Sequence, residues 1–309
     1  MSDGTTTYGA IEAGGTKFVC AVGEGPEDLH ATTRIPTTTP YETLRRVVAF
    51  FRTQTASLAA LGVGTFGPVD LDPDSSTFGH LLHTPKDRWR HVDLVGRLHR
   101  ALGVPVALET DVNAAALAED RWGAAQGVDA FLYLTVGTGI GGGFVADGRC
   151  LHGRMHPEMG HVSVPRADGD DFEGVCRYHG ACLEGLASGP ALEARWGATP
   201  EDLPADHPAW PLQAHYLAHA CATFTYALSP ERIILGGGVM QRGSLFPLIR
   251  ERLHTVLGGY LDVTRGLRRE GYVVPPGLGT RAGILGALAL AHEAARHPSG
   301  TALPVLREA

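Results

Sequence analysis

Apolar positions in this chain gather into short runs broken by glycine turns. Residues 8–22 (YGAIEAGGTKFVCAV) read as an apolar strand, a Gly-Gly-Thr turn and a second apolar strand, a β-hairpin with a glycine tip. Helical spacing follows over 41–60 (Leu44, Val47, Val48, Phe51), then a short buried strand at 61–66 ending in glycine and proline. Residues 101–107 (ALGVPVA) approach another strand, and Val112 to Trp122 is an alanine-rich helix. These pieces predict a first mixed α/β domain ending near residue 112.

A second strand–glycine–strand unit begins at Ala130 (AFLYLTVGTGIGGGFVADGR) and repeats the plan of residues 8–22, which suggests an internal duplication of a hairpin module. Residues 165–182 are polar, contain glycine and lack periodicity, so they predict a loop or a small independent element. Helices are expected near 189–196, 211–228 and 244–257, strands at 232–240 and 272–276, and a closing helix from Thr280 to Arg296. The tail 298–309, with Pro298 and Pro304, is expected to be loosely held.

Composition narrows the class. Of 309 residues 44% are hydrophobic and 19% charged, which fits a folded globular protein. A formal charge of -7, with no run of five basic residues, argues against binding nucleic acid or a membrane surface. The polar N-terminus lacks a signal-peptide pattern and no apolar run approaches a membrane span, so a soluble, cytoplasmic protein is expected. Glycine is the outlier: 41 residues, nearly twice the usual ~7%, clustered in apolar segments without a triplet period. Such clusters point to close backbone approach to a ligand. Cys20, Cys150 and Cys221 read as buried thiols.

Three glycine turns follow strands: Ala13-Gly14-Gly15-Thr16-Lys17, Gly137-Thr138-Gly139-Ile140-Gly141 and Gly236-Gly237-Gly238. None has Walker A spacing. The second has dinucleotide-fingerprint spacing, but strand-like residues follow it where a helix is needed. Any one of them serves as a tight hairpin turn. Together they read more economically as a cradle for a nucleotide polyphosphate, with Lys17 adding charge and Glu12 a candidate partner for hydrated Mg²⁺. Glu109-Thr110-Asp111 places a carboxylate where a strand ends and the alanine helix begins. Thr110 or Asp111 could cap that helix. Asp111 also stands where the base of a phosphoryl transfer belongs.

Cys176-x2-His179-x2-Cys182, with His161, supplies thiolate and imidazole ligands of the kind tetrahedral Zn²⁺ prefers, and a closed set of four reads as structural. His83, His152 and His156 lack partners at ligand spacing and read as surface or core residues. Lys86, Trp89 and Arg90 in 84–94 either line a cleft or belong to a loop anchored by the tryptophan, the reading favoured here. Arg195 and Trp196 are ambiguous.

In order along the chain, IEAGGTKFVCAV (11–22), GTFGPVD (64–70), TPKDRWRHVDL (84–94), ETDVNAAALAE (109–119), TVGTGIGGG (135–143), HPEMGHVSV (156–164), CRYHGACLEGLASGPALEARWG (176–197), LGGGVM (235–240) and GLGTRAGILGALALA (277–291) resemble the ROK family of bacterial sugar kinases, nearest its zinc-containing fructokinases. The resemblance implies an α/β, two-domain actin-like ATPase (ribonuclease H-like) fold with a cleft between domains. It divides the chain into 1–112 plus 281–309, and 113–280 with a zinc element near 161–182. It implies ATP and a hexose as substrates, Mg²⁺ with the ATP, structural Zn²⁺ and a homodimer. Asp111 matches the family's catalytic base. Gly64, Thr65, Gly67, Pro68, Thr110, Asp111, Glu158, His161 and Glu184 match sugar-binding positions. Glu12, Gly14, Gly15, Thr16, Lys17, Gly137, Thr138, Gly139, Gly189, Pro190, Gly236, Gly237, Gly238 and Val239 match nucleotide-binding ones.

The family's zinc set often has a third cysteine where this chain has His179. Many members carry Asp-Ile-Gly-Gly-Thr where this chain has Glu12-Ala13-Gly14-Gly15-Thr16. Many glucokinases carry Glu-Asn-Asp where it has Glu109-Thr110-Asp111, which removes the asparagine of the usual glucose contact. The expected activity is transfer of the ATP γ-phosphate to the 6-hydroxyl of fructose. Glucokinase, mannokinase or a broad hexokinase is the alternative, and a sugar-binding regulator without turnover a third. Some seven residues before the first strand leave no room for the regulators' helix-turn-helix.

Overall fold

The computed structural model describes residues 6–54, 57–262 and 271–296; the expected loose tail at 298–309 lies outside them. The chain forms two compact units. One contains residues up to Trp122, Gly148–His156 and the chain from Arg281 onward; the other contains Gly123–Asp147 and Pro157–Thr280.

The first unit is built on a mixed sheet in the order β3-β2-β1-β4-β5. Its strands are β1 (Tyr8–Ala13), β2 (Lys17–Gly25), β3 (Asp28–Pro36), β4 (Leu61–Thr65) and β5 (Val106–Thr110). β1 to β3 form an antiparallel meander, and β1, β4 and β5 run parallel. Helix α1 (Pro40–Gln54) buries Leu44, Val47 and Phe51, the apolar stripe read from the sequence. Helix α2 (Leu94–Leu102) joins β4 to β5, and α3 (Asp111–Trp122) leaves β5 directly.

The expected boundary near residue 112 falls inside α3. This helix packs on α8 (Ala282–Arg296) and on β4, so it belongs wholly to the first unit. Backbones there are pressed together: a Cβ on Gly62 of β4 would overlap the Ala287 carbonyl of α8. The stretch Gly148–His156 also groups with this unit, because its two histidines bond to it: His152 to Glu109 and Asn113, and His156 to the Val69 N–H.

The sheet of the second unit repeats the plan. It is made of β6 (Ala130–Val136), β7 (Ile140–Ala146), β8 (Arg149–Cys150), β9 (Arg232–Gly236) and β10 (Val273–Val274), and the order β10-β9-β6-β7-β8 read backwards is that of the first sheet. In both, a hairpin strand is followed across the sheet by two parallel strands. The duplication suggested by the two glycine hairpins is thus visible in the strand order. Helices α4 (Leu183–Ala187), α5 (Gly189–Trp196), α6 (Ala209–Leu228) and α7 (Leu245–Leu257) complete this unit. Asp170 is held there by Arg195 and by the Tyr216 hydroxyl, which settles Arg195 as part of that unit's packing. No helix among the described residues is long and apolar enough to cross a membrane.

The elements expected from the sequence include neither β3 nor α2. The latter carries a cap: Asp93 accepts the Gly96 N–H at 2.7 Å and binds Arg100 at 2.8 Å, and Gly103 closes the helix in the left-handed region. Although burial works the other way, the Arg100 and Gly96 bonds hold the Asp93 carboxyl below its ordinary value of 3.8. Asp93→Ala is expected to cost about 1 kcal/mol of stability at neutral pH. A depressed carboxylate stabilises above its unfolded pKa and loses that contribution as pH falls through the folded one. Thermal melts should therefore show the difference between variant and wild type shrinking below the ordinary aspartate value.

Candidate active site and metal cluster

In the first unit, register aligns the ends of three parallel strands: Ala13 of β1 faces Thr65 of β4, which faces Thr110 of β5. Loops at the carboxyl edge of such a sheet are where α/β folds place ligands. Three candidate groups meet there: the turn Gly14–Lys17, the run from Gly64 to Pro68, and Thr110–Asp111. The turn is closed by Gly14 N–H donating to Lys17 O at 2.9 Å, and fastened by Thr37, whose hydroxyl donates to Gly14 O at 2.7 Å. Phe66 N–H donates to Ala13 O at 2.8 Å, tying the second run to the first. A Cβ on Gly64 would stand 3.4 Å from Asp111 Cα, so the missing side chain lets β4 lie against the start of α3. The Gly67–Pro68 peptide is cis.

Of the two residues able to cap α3, Thr110 does so: its hydroxyl oxygen accepts the Asn113 N–H at 3.2 Å. Asp111, half-buried, follows at the first helical position and accepts the Val112 N–H through Oδ1. Beneath them lies a pairing the sequence reading misses. Glu109, 3% exposed, accepts from Thr110 N–H (2.7 Å) and Asn113 Nδ2 (3.1 Å) through Oε1, and its Oε2 meets His152 Nε2 at 2.8 Å. His156, also buried, accepts Val69 N–H through Nε2 at 3.2 Å, so both histidines steady loops at this edge. Glu12 is half-buried at the end of β1. Burial raises its carboxyl above the ordinary value, against the opposing charges of Lys17 and Arg34.

The second unit gathers the other candidates. Thr135 at the end of β6 pairs with Gly236 at the end of β9, which brings the turns 137–139 and 236–238 side by side. Gly237 has φ +93°, and a Cβ there would overlap the Val136 backbone. Gly189 N–H, where α5 begins, donates to Gly137 O at 2.7 Å, so Gly189 and Pro190 join the same cluster. Val239 begins a single 3₁₀ turn after Gly238. Glu184 Oε2 accepts the Ile140 N–H at 2.9 Å, latching this carboxylate to the glycine turn. Burial raises the Glu158 carboxyl, and the charge of Glu184 adds to it. The candidates thus divide between the units: residues 12–17, 64–68 and 110–111 lie in the first, and 137–139, 158–161, 184–190 and 236–239 in the second.

The metal-ligand reading finds its four residues together, also in the second unit. One ligand atom from each of His161, Cys176, His179 and Cys182 lies within 4.8 Å of every other. His161 Nδ1 is 3.7 Å from Cys176 Sγ and 3.5 Å from Cys182 Sγ, and His179 Nδ1 is 3.7 Å from Cys176 Sγ. Zinc bonds of about 2.3 Å to sulfur and about 2.0 Å to nitrogen, at tetrahedral angles, separate S from N by about 3.5 Å. The donor set and its spacing fit that ion. A tight hairpin (Cys176 N–H to Gly180 O, Gly180 N–H to Cys176 O) sets the first cysteine, and the start of α4 sets Cys182. Burial and the neighbouring Cys176 push the Cys182 thiol up to about 11. By contrast Cys20, Cys150 and Cys221 are fully enclosed thiols, Cys20 and Cys221 raised by burial to about 12.

The fold and these two sets of strand ends define a two-unit α/β protein of the actin-like ATPase kind, and comparison with known proteins gives the family. The model of the ROK family matches residues 8–294. Fructokinase from Pediococcus pentosaceus is 44% identical, covering 94% of this chain and 99% of its own. Fructokinase from Zymomonas mobilis is also 44% identical, covering 94% and 98%. A solved ROK family glucokinase from Streptomyces griseus, in complex with glucose and AMPPNP, superposes with a TM-score of 0.75 at 28% identity, covering 93% and 99%. The chain belongs to the ROK family.

Proposed function

We propose that this protein is an ATP-dependent fructokinase that phosphorylates the 6-hydroxyl of fructose. The observation that carries the reading is Asp111, set at the carboxyl edge of the first sheet beside Gly64 and two strands from the Gly-Gly-Thr turn, in a chain 44% identical to two fructokinases. Asp111 takes the proton from the sugar's O6 as that oxygen bonds to the γ-phosphorus, the bond from phosphorus to the β–γ bridging oxygen breaks, and ADP leaves. Glu109 and Thr110 hold Asp111 in place through the strand end and the helix cap.

Gly64, Thr65, Gly67, Pro68, Thr110, Glu158, His161 and Glu184 are assigned to the sugar. The turns at 14–17, 137–139 and 236–239, with Gly189 and Pro190, are assigned to the nucleotide, whose phosphates meet backbone N–H groups there. Mg²⁺ arrives with the ATP and neutralises its phosphates. Glu12 would hold one of its waters, since a carboxylate whose charge burial disfavours is relieved by a nearby cation. Zn²⁺ at His161, Cys176, His179 and Cys182 would pin the 161–182 stretch. With His161 presenting Nδ1 to that cluster, its Nε2 is left for a sugar oxygen. A cytoplasmic homodimer completes the reading.

A coupled assay of ADP release over fructose, glucose, mannose and other hexoses tests it. Fructose is expected to give the highest kcat/KM, with a 6-phosphate as product. Equal or better turnover of glucose or mannose would replace fructose as the substrate. Sugar binding without ATP consumption would make the protein a sensor.

A further inference from the structure

We propose that Lys86 is a phosphoryl-binding residue of the transfer, its ammonium neutralising the group in transit between nucleotide and sugar. The inference rests on the reading of the Gly14–Lys17 turn as a polyphosphate cradle, and it adds a residue that the motif itself does not contain.

The loop bearing Lys86 is tightly tied down. Thr84, fully buried, accepts the Lys86 N–H through its hydroxyl oxygen (3.4 Å) and the Arg90 Nε–H through its carbonyl (3.0 Å). Arg90 pairs with Asp87 at 2.9 Å, and Trp89 N–H donates to Lys86 O at 2.8 Å. Trp89 is the anchor. Its indole is 1% exposed, lies 5.3 Å from the Phe18 ring and 6.0 Å from that of Phe66, and donates Nε1–H to Thr38 O at 2.9 Å. Phe18 follows Lys17, and Phe66 follows Thr65. Trp89 therefore fixes the loop to the two strand ends that carry the glycine turn and the Gly64–Pro68 run. Of the two readings of this loop from the sequence, the tryptophan anchor is the one seen here.

From that fixed backbone the Lys86 side chain extends along the turn. A Cβ on Gly15 would stand 3.2 Å from Lys86 Cε and 4.0 Å from its Cγ, so the absence of a side chain at Gly15 makes room for the lysine. The ammonium is one bond beyond Cε. Of the other cations nearby, Arg90 pairs with Asp87, and the charges of Lys17 and Arg34 act on Glu12. Among the described residues the exposed Lys86 ammonium has no carboxylate or hydrogen-bond partner. A merely solvating lysine needs neither the anchored loop nor the bare glycine. A compact charge with rotatable donors suits a phosphoryl group that moves during reaction.

Lys86→Met and Lys86→Arg test the assignment, with kcat and KM measured separately for ATP and sugar, and melting curves alongside. Lys86→Met is expected to lower kcat by about 10²-fold, the scale for losing one charge-stabilising donor, with KM for sugar little changed. Melting should be unchanged, and Lys86→Arg should recover much of the rate. A kcat within about twofold of wild type overturns the proposal, as does a loss confined to the KM for sugar. If another hexose replaces fructose in the assay above, that result refutes the proposed substrate alone, and the same measurements on Lys86 are made with the hexose that turns over.

Discussion

Asp111→Asn is expected to lower kcat by a factor on the order of 10²–10⁴, the range for losing a general base, while the protein folds as before. The amide cannot accept the proton of the sugar hydroxyl. It can still accept the Val112 N–H through Oδ1. The cap of α3 belongs to Thr110 and is untouched. KM for fructose and for ATP should therefore move far less than kcat, and the melting temperature should stay put. Turnover near that of wild type would remove Asp111 from the chemistry. A variant that loses stability as well would show that the carboxylate serves the fold instead.

Removing zinc is expected to have the largest effect on stability. The Cys-x2-His-x2-Cys stretch has little apolar burial of its own, with Tyr178 and Val175 exposed, so on the proposed reading its order would depend on the ion. At free zinc a thousandfold above Kd, one site contributes about 4 kcal/mol. Equilibration with a strong chelator should lower the melting temperature and inactivate the enzyme, with recovery on adding Zn²⁺ and none on adding Mg²⁺ alone. Cys182→Ser should lower the zinc content, measured by elemental analysis, from one ion per chain. Zinc uptake should release protons, because a thiol raised by burial binds only as thiolate. Protein purified free of zinc and indifferent to the chelator would rule the structural ion out.

The parts of this molecule legible in its sequence are those whose signal is local. The β1–β2 and β6–β7 hairpins are apolar runs around glycine, and the candidate metal ligands Cys176, His179 and Cys182 fall within seven residues. β3 escapes notice because its alternation of Leu29, Ala31 and Ile35 with polar residues is interrupted by Thr33, and only Ile35 of this edge strand is buried. α2 was there to be found in Asp93 and Gly103, a cap at each end of an apolar stripe. The polar contacts under the site were not. Asn113 and His152 meet from positions 39 residues apart, and His156 and Val69 from 87, through a stretch of chain that returns from the second unit to the first. Nothing near His152 in the sequence names Glu109 as its partner. Lys86 is legible only as one of three residues of a loop: its position beside Gly15 is set by where Trp89 is buried, and burial of one indole leaves no periodic trace.

The place of α8 in chain order has a consequence for biogenesis. This helix covers β4 and β1 and packs against α3, yet it is the last described element to leave the ribosome. The second unit, by contrast, draws all its strands and helices from chain already synthesised by Thr280. Vectorial synthesis ordinarily favours the amino-terminal domain. Here the nascent first sheet must wait, one apolar face uncovered around Gly62, while the later half matures before it.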